Sequence, residues 1–279
     1  MIFDTHAHYD DEWFDEDREA LLRGLSSRGV GTVINVGASM RGSRASVALS
    51  EQYPFVYASV GVHPDDAPQM TENDIAELET LAGAPKVVAV GEIGLDYGHE
   101  DELTAEERDR QRAAQAYWFR RQLALAAETS LPVIIHSRGA EGDTLAIMRE
   151  YAESFQGTGE NAKRAFSGGI IHCFSGSPET AAEYRRLGFH VGVGGVITFK
   201  NARRLPDVVA EAPLSQIVLE TDAPYMAPVP FRGKRNNSGY LPYVVAKIAE
   251  IKGISEEEVI AVTTANARSL FGIRGEKDA

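Results

Sequence analysis

The sequence predicts a single (β/α)8 TIM barrel from two observations. Short apolar segments rich in Val and Ile recur along the 279 residues, and segments with helical periodicity separate them. The apolar segments cover residues 2–3, 32–36, 55–62, 87–93, 133–135, 170–171, 190–196 and 217–219. They do not alternate with polar residues, as expected of parallel strands covered by helices. Eight strand-helix units fit a barrel better than a doubly wound sheet, whose glycine-rich phosphate-binding fingerprint is missing.

Helix start signals lie between the predicted strands. Thr104 and Glu107 have the spacing of a capping box, Ser177 precedes a proline suited to the first turn, and Ser255 precedes three glutamates. The polar residues 154–169, which include Gly157 and Gly159, lead into the sixth strand and are expected at the lower rim of the barrel. No Pro-rich or Ser-rich linker divides residues 1–279, so one domain is expected.

Composition limits the class of protein. Hydrophobic residues make up 43% of the chain, and no apolar run approaches the ~20 residues that span a bilayer. No secretory signal follows Met1, so a cytoplasmic protein without a membrane partner or an obligate protein partner is expected. The single cysteine, Cys173, excludes a thiolate metal cluster and is expected to be a small buried residue. The net charge of −13 argues against indiscriminate nucleic-acid binding.

Five of the seven histidines lie at or just beyond the carboxyl end of an apolar segment. They are His6, His8, His63, His136 and His172. In a barrel these strand ends meet at one mouth, so we expect the histidines to be neighbours. His6 and His8, two residues apart, point to the same side of an extended strand and can reach one metal ion. Any one motif alone fits a surface pair or a hydrogen-bonded core histidine equally well, but their common position favours a metal site.

Carboxylates occupy two further strand ends. Glu92 lies at the end of an otherwise apolar segment, and a buried glutamate needs a partner such as a pair of divalent ions that it bridges. Asp222 follows the eighth segment and is the expected ligand and general base. Glu220, deeper in the strand, is expected to orient a ligand histidine. Asp96 is expected to cap a loop or to accept a hydrogen bond from such a ligand.

Taken together, these motifs resemble those of the TatD family of metal-dependent deoxyribonucleases. The resemblance covers nearly the whole chain and rests on residues 4–8 (DTHAH), 61–64 (GVHP), 91–97 (GEIGLDY), 136–138 (HSR), 172–176 (HCFSG), 220–225 (ETDAPY) and Asn266. Each motif alone is weak, whereas their order and separation are specific. A glutamate on the fourth strand also distinguishes this family from amidohydrolases with a carboxylated lysine there. The nearest lysine, Lys86, precedes the strand.

The resemblance implies a role for each residue of the site. His6, His8 and Asp222 would hold one metal, His136 and His172 the second, and Glu92 would bridge them. His63 would contact the substrate. Metal identity stays open among Mg²⁺, Mn²⁺ and Zn²⁺, because imidazole and carboxylate ligands suit all three.

The loop after the eighth strand departs from the family pattern. Family members usually continue residues 231–236 (FRGKRN) with Glu-Pro, whereas this chain has Asn237 and Ser238. The departure is expected to affect substrate preference more than metal binding. Arg232, Lys234 and Arg235 are expected either to contact phosphate or to form a solvated basic turn. Four residues of other loops could stack on bases or simply cover the barrel, namely Trp13, Phe14, Tyr97 and His99.

The predicted activity is hydrolysis of phosphodiesters. Two divalent ions among four histidines and two carboxylates give a positive centre that attracts an anionic substrate despite the negative protein. The family resemblance implies an exonuclease that acts on DNA, single-stranded or at its ends, with Asp222 and Glu92 as catalytic carboxylates. One alternative is an amidohydrolase or lactonase acting on a small molecule, and another is a binding protein with a structural metal.

Overall fold

Residues 1–156, 159–161 and 164–274 are described by the computed structural model of the chain. The strands are β1 (Ile2–Ala7), β2 (Val30–Val36), β3 (Val56–Val60), β4 (Val87–Asp96), β5 (Val133–Arg138), β6 (Gly169–Ile171), β7 (Phe189–Val193) and β8 (Ile217–Leu219). The α-helices of these residues are α1 (Arg18–Gly24), α2 (Met40–Gln52), α3 (Glu72–Ala82), α4 (Ala105–Thr129), α5 (Glu141–Ser154), α6 (Pro178–Arg186), α7 (Arg204–Glu211), α8 (Leu241–Lys252) and α9 (Glu256–Phe271).

The eight strands form one parallel sheet in sequence order, which confirms the predicted (β/α)8 barrel. The edges β1 and β8 meet just beyond their ends, where Ala7 pairs with Ala223. There the His8 amide donates to the carbonyl of Ala223 at 2.7 Å, and the Asp222 amide donates to the carbonyl of His6 at 2.9 Å. The barrel is therefore nearly closed, and the predicted ligands of the first and last strands become neighbours.

The burial and capping of the elements agree with the sequence pattern. Every residue of β1 and β4 is buried, because helices cover the outside of the barrel and side chains fill its inside. Thr104 and Glu107 form the predicted capping box at the start of α4. Ser177 and Ser255 accept hydrogen bonds from backbone amides in the first turns of α6 and α9.

Most strands differ by a few residues from their predicted lengths, and two of the differences lie beside closely packed glycines. β4 continues to Asp96, so Glu92 lies within the strand and not at its end. A side chain at Gly91 would come within 2.6 Å of Ile134, which explains a glycine there despite its weak strand propensity. β7 ends early and is followed by a 3₁₀ turn, Gly195–Thr198, where the backbone passes close to the carbonyl of Met226.

The lower end of the barrel holds the residues expected away from the chemistry. The Lys86 ammonium donates to three backbone carbonyls below the sheet, which confirms that it lies far from the mouth. Residues 154–169 lead from α5 to the start of β6, as predicted, although Gly157 lies outside the described residues. Asn266 donates to the carbonyls of Leu214 and Ile217. None of the helices in the described ranges is long and apolar enough to cross a membrane.

Candidate metal centre

A cavity of about 1430 Å³ opens at the carboxyl ends of the strands. Five of the six predicted ligands line it, namely His8, Glu92, His136, His172 and Asp222. The sixth, His6, is 1% exposed and contacts the others from below. The sequence prediction that these residues converge is therefore correct in position, and their ability to bind metal depends on the distances between their donor atoms.

One group of donor atoms comes from β1 and the segment after β8. The Nε2 atoms of His6 and His8 lie 3.1 Å apart. Oδ1 of Asp222 lies 3.9 Å from the first and 3.6 Å from the second. Donors around one ion lie ~3–4 Å apart when each is about 2.0–2.2 Å from it, so this group can hold a single divalent ion.

A second group comes from β4, β5 and the residue after β6. Oε1 of Glu92 lies 2.7 Å from Nδ1 of His136 and 3.6 Å from Nε2 of His172. Nε2 of His63 lies 3.9 Å from the same carboxylate oxygen. The Glu92, His136 and His172 donors are close enough to hold another ion.

Glu92 joins the two groups through its two oxygens. While Oε1 faces His136 and His172, Oε2 lies 3.4 Å from Nε2 of His6 and 3.7 Å from Nε2 of His8. The side chain is 5% exposed, and among the described residues no Lys or Arg lies within ion-pair distance of it. A buried carboxylate surrounded only by imidazoles requires a positive charge that protons or metal ions must supply.

Two of the ring nitrogens that point away from the donor groups lie close to a carboxylate. Nε2 of His136 lies 3.0 Å from Oδ2 of Asp96, whose other oxygen accepts the amide of Gly98. Nδ1 of His172 lies 3.3 Å from Oε2 of Glu220. Asp96 thus has both roles considered for it, and Glu220 lies where it can orient a histidine, as predicted.

The pKa values of three of the five histidines in the site are raised, because the neighbouring carboxylates favour positive charge. Burial lowers the pKa of His136, but contacts with Asp96 and Glu92 outweigh it and raise the pKa to about 10. Burial is likewise outweighed at His8 by Asp222 and Glu92, and at His172 by Glu220 and Glu92, so that each pKa rises to about 9. Without metal, the site would gather several imidazolium ions.

This gathering of protonated rings argues that the residues fit a metal centre. The rings of His6 and His172 stack with centroids 3.6 Å apart, and burial together with the charge of His172 lowers the pKa of His6. Positive rings this close repel each other. Divalent ions bound to the ring lone pairs supply the same charge without that repulsion, because the ligand histidines are then neutral.

The predicted substrate-contacting residues have different positions. His63 lines the cavity, whereas Arg232 and Lys234 are exposed and lie off its wall, with Arg232 over the ring of Phe199. Four other arginines line the cavity, namely Arg41, Arg138, Arg203 and Arg204. Sequence reasoning missed them because arginines scattered over separate elements carry no pattern, although Arg203 and Arg204 are neighbours at the start of α7.

The aromatic residues of the loops also differ from one another. Phe14 is fully buried, so of the two alternatives considered for it, covering the barrel holds and stacking on bases does not. Tyr97 is half-buried, and its hydroxyl is bonded to Asp143. His99 lines the cavity beside Arg138. Trp13 is 56% exposed and lies next to Tyr225, which sequence reasoning did not select.

The altered loop and the cysteine are both partly unlike their predictions. Asn237 and Ser238 are buried and face the inside of the protein, so their direct effect is on packing and not on the mouth. The loop folds back because Ser238 bonds to Asp4 of β1.

Cys173 is half-buried at the cavity wall, where burial and the nearby Asp222 raise the pKa of its thiol well above its ordinary value. It is therefore a poor nucleophile.

A barrel with two joined groups of His and carboxylate donors at its mouth defines the class of metal-dependent hydrolases. Residues 3–272 match the family model of TatD related DNase, and the chain belongs to this family. It is 42% identical to a Bacillus subtilis protein named as the uncharacterized metal-dependent hydrolase YabD, over 98% of this chain and 100% of the relative.

Two further relatives carry more specific names. A Cronobacter sakazakii protein named 3'-5' ssDNA/RNA exonuclease TatD is 31% identical over 97% of each chain. The crystal structure of YJJV, a TatD homologue from Escherichia coli, superposes with a TM-score of 0.85, at 32% identity and 98% coverage of both chains. The protein is thus a metal-dependent hydrolase of the TatD family with the expected barrel.

Proposed function

We propose that this chain is a two-metal phosphodiesterase that removes nucleotides from single-stranded DNA or from DNA ends. The observation that carries the proposal is that the two carboxylate oxygens of Glu92 face different donor groups. Oε2 faces the nitrogen atoms of His6 and His8, while Oε1 faces His136. One buried carboxylate between two donor groups suits two adjacent divalent ions, an arrangement typical of nucleases and phosphatases.

The ligands follow from this arrangement. His6, His8 and Asp222 would hold one ion, His136 and His172 the other, and Glu92 both. When bound, two divalent ions activate water and offset the negative charge that develops on a phosphate during hydrolysis. Mg²⁺, Mn²⁺ and Zn²⁺ are all compatible with these ligands.

Asp222 and His63 have positions suited to proton and substrate contacts. The Asp222 side chain is 17% exposed and Glu92 only 5%, so Asp222 is the carboxylate that can accept a proton from water on the substrate side. Nδ1 of His63 accepts the amide of Asp65, which leaves Nε2 with the proton. That N–H faces the cavity and can donate to a phosphate oxygen.

The size and charge of the cavity favour a polymeric anion over a small neutral molecule. Its volume of about 1430 Å³ exceeds the ~300–1,000 Å³ typical of small-molecule sites. Arg203 and Arg204 lie on its wall, and neither forms an ion pair within the described ranges. Free guanidinium groups of this kind suit phosphates next to the one that is cleaved. The name of the Cronobacter sakazakii relative agrees with such a substrate.

The test is hydrolysis of single-stranded oligothymidylate by wild type, Asp222→Asn and the control Asp66→Asn, beside a panel of lactones and cyclic amides. Asp66 is exposed near the same end of the barrel, so its variant should retain the wild-type rate. Asp222→Asn should lose about 10²-fold or more. A full rate in Asp222→Asn or in chelator-treated protein would contradict the mechanism, and turnover of lactones without phosphodiester cleavage would favour the alternative.

A further inference from the structure

Two exposed aromatic side chains lie side by side near the mouth of the barrel, and one of them, Tyr225, lines the cavity. Trp13, in the loop after β1, is 56% exposed, and Tyr225, after β8, is 47% exposed. Their ring centroids lie 6.1 Å apart. Met226, 46% exposed, continues the same surface. Trp and Tyr normally bury most of their area, so two exposed rings side by side need a reason. We refer to Trp13 and Tyr225 as the rim pair.

The rim pair is held by the polar groups beneath it. One carboxylate oxygen of Asp11 accepts the backbone amide of Trp13 at 2.8 Å, and the other accepts the Tyr225 hydroxyl at 3.1 Å. Arg235 donates to the carbonyl of Trp13 and forms a two-point ion pair with Asp17. Because these bonds fix both loops before any ligand binds, stacking on the rings would lose little conformational entropy.

Charge around the rim indicates how a nucleic-acid strand would lie. Loops follow one another around the mouth in strand order, so Tyr225, after β8, lies between the loop after β7 and the loop after β1 that carries Trp13. The first of these provides Arg203 and Arg204, and the second provides Asp10 and Glu12. Phosphates are attracted to the arginine side and repelled from the acidic side. A base that extends from a backbone on the arginine side would reach the rim pair.

Tyr225 connects the rim pair directly to the metal centre. Its amide donates to the carbonyl of Asp222 at 2.7 Å, and both side chains line the same cavity. A phosphate at Asp222 and a base at Tyr225 are therefore parts of one nucleotide or of two adjacent ones. Bases in a duplex stack on each other and are paired, so only an unpaired base can contact these rings.

We propose that Trp13 and Tyr225 form a stacking site for an unpaired nucleobase next to the cleaved phosphate, which makes the enzyme selective for single-stranded nucleic acid. This inference rests on the proposed function, because it assumes a nucleic-acid substrate. It assigns substrate selection to the rim pair and not to Arg232, Lys234 or the altered residues 237–238.

Binding can be measured apart from catalysis through the fluorescence of Trp13. Trp13 and Trp118 are the two tryptophans of the chain, and Trp118 lies on α4, so Trp118→Phe leaves Trp13 as the reporter. Oligothymidylate added without metal should quench this fluorescence, whereas a strand of equal length without bases should not. Equal quenching by both strands, or by neither, would overturn the stacking site.

Steady-state kinetics provide a second test of the stacking site. Trp13→Ala should raise KM for oligothymidylate about tenfold, since stacking on one base contributes on the order of that factor. The same substitution should leave KM unchanged for the abasic strand and for the small diester bis(p-nitrophenyl) phosphate. The control Tyr117→Ala removes an aromatic ring of 53% exposure from the outer helix α4 and should behave as wild type.

The two proposals fail in different ways. If oligothymidylate quenches Trp13 but wild type cleaves no phosphodiester with any of the metal ions, the proposed function is wrong, and only the binding of bases at the rim pair stands. If wild type cleaves both diesters and Trp13→Ala has an unchanged KM for oligothymidylate, the stacking site is wrong and the proposed function stands.

Discussion

At the scale of single residues, the metal centre depends on which ring nitrogen of each histidine faces the other metal-binding atoms of the site. Nδ1 of His172 faces Oε2 of Glu220, and this contact directs Nε2 towards Glu92. The other oxygen of Glu220 accepts the amide of Cys173 at 2.6 Å, so the carboxylate is itself fixed. Partners of this kind hold the orientation of a ligand ring and increase its basicity.

Glu220→Gln should therefore weaken metal binding without removing a ligand. The amide lacks the negative charge that orients and polarises His172, so affinity for one Mn²⁺ ion should fall about 10- to 100-fold. Titration calorimetry of Mn²⁺ into metal-free protein measures the change. Glu141→Gln is the matched control, because Glu141 lines the same cavity and contacts none of the ligand histidines. Unchanged affinity in Glu220→Gln would contradict the assigned role.

At the scale of elements, the loop between β8 and α8 ties the two edges of the barrel together. The Ser238 hydroxyl donates to the Asp4 carboxylate at 2.6 Å and lies 2.7 Å from the Tyr9 hydroxyl. Thr221 donates to the same carboxylate from the other edge, through both its hydroxyl and its amide. Burial raises the pKa of Asp4 to about 7, although these hydrogen bonds act against it. The network joins β1 to the segment that carries Asp222.

Ser238→Ala should destabilise the fold by about 1–3 kcal/mol, because the buried Asp4 carboxylate and Tyr9 hydroxyl each lose a partner. Urea unfolding in the presence of chelator measures the loss without a metal contribution. Ser27→Ala, which removes an exposed hydroxyl bonded to one backbone carbonyl, should cost a few tenths at most. Equal unfolding free energies for the two variants would show that the network contributes nothing.

A second link between the same loops is sensitive to pH. Hydrogen bonds from Arg235 lower the pKa of Asp17 below its ordinary value, so the ionised form is favoured in the folded state. The resulting stability is present above the unfolded pKa of about 3.9 and is lost as the pH falls through the lower folded value.

Asp17→Asn should accordingly lose about 0.5–1 kcal/mol at pH 7, a small amount because the carboxylate is half exposed and screened by solvent. The difference from wild type should shrink once the pH falls below the ordinary range of Asp. Urea unfolding across that pH range measures it. If the difference in unfolding free energy between wild type and Asp17→Asn stays constant down to the lowest pH measured, the ion pair contributes no charge interaction.

The elements themselves could largely be predicted from sequence, and their exceptions have local causes. Capping residues such as Thr104 and Ser255 mark helix starts without tertiary information. The extension of β4 past Glu92 could not be predicted, because glycines weaken the strand signal. The reason for glycine at position 91 is apparent only in the folded barrel, where β5 packs beside β4 and leaves no room for a side chain there.

At the scale of the whole molecule, barrel closure explains why the convergence of the histidines and carboxylates could be predicted and the loop residues around them could not. His6, His136 and His172 each lie at or next to a strand end, and topology alone brings such positions together. Arg203 and Tyr225 lie in loops, whose paths depend on contacts made after folding. The sequence therefore indicated the metal site and missed the rim that surrounds it.

Because the net charge is −13, attraction for a nucleic-acid backbone must come from local positive groups, namely bound metal ions and the arginines of the cavity wall. The double substitution Arg203→Ala/Arg204→Ala should raise KM for oligothymidylate and reduce the slope of log KM against log salt. Each phosphate contact on a single strand contributes about 0.7 to that slope, so two contacts contribute about 1.4. Steady-state kinetics at several salt concentrations measure both effects.

The matched control for this pair is Arg232→Ala/Lys234→Ala. These cations are also adjacent in one loop and exposed, but they lie off the cavity wall. Their loss should leave the slope unchanged. A reduced slope in the control and an unchanged one in Arg203→Ala/Arg204→Ala would reverse the assignment, and the loop after β8 would then be the phosphate contact, as the sequence first suggested.

The central claim is that Glu92 joins two divalent ions in a site that hydrolyses phosphodiesters. Its most direct test is the rate of oligothymidylate hydrolysis as Mn²⁺ is added stepwise to chelator-treated protein, at a protein concentration above the dissociation constants. The account predicts a low rate through the first equivalent and a plateau at two ions per chain. A full rate with no metal, or a plateau at one ion, would contradict it.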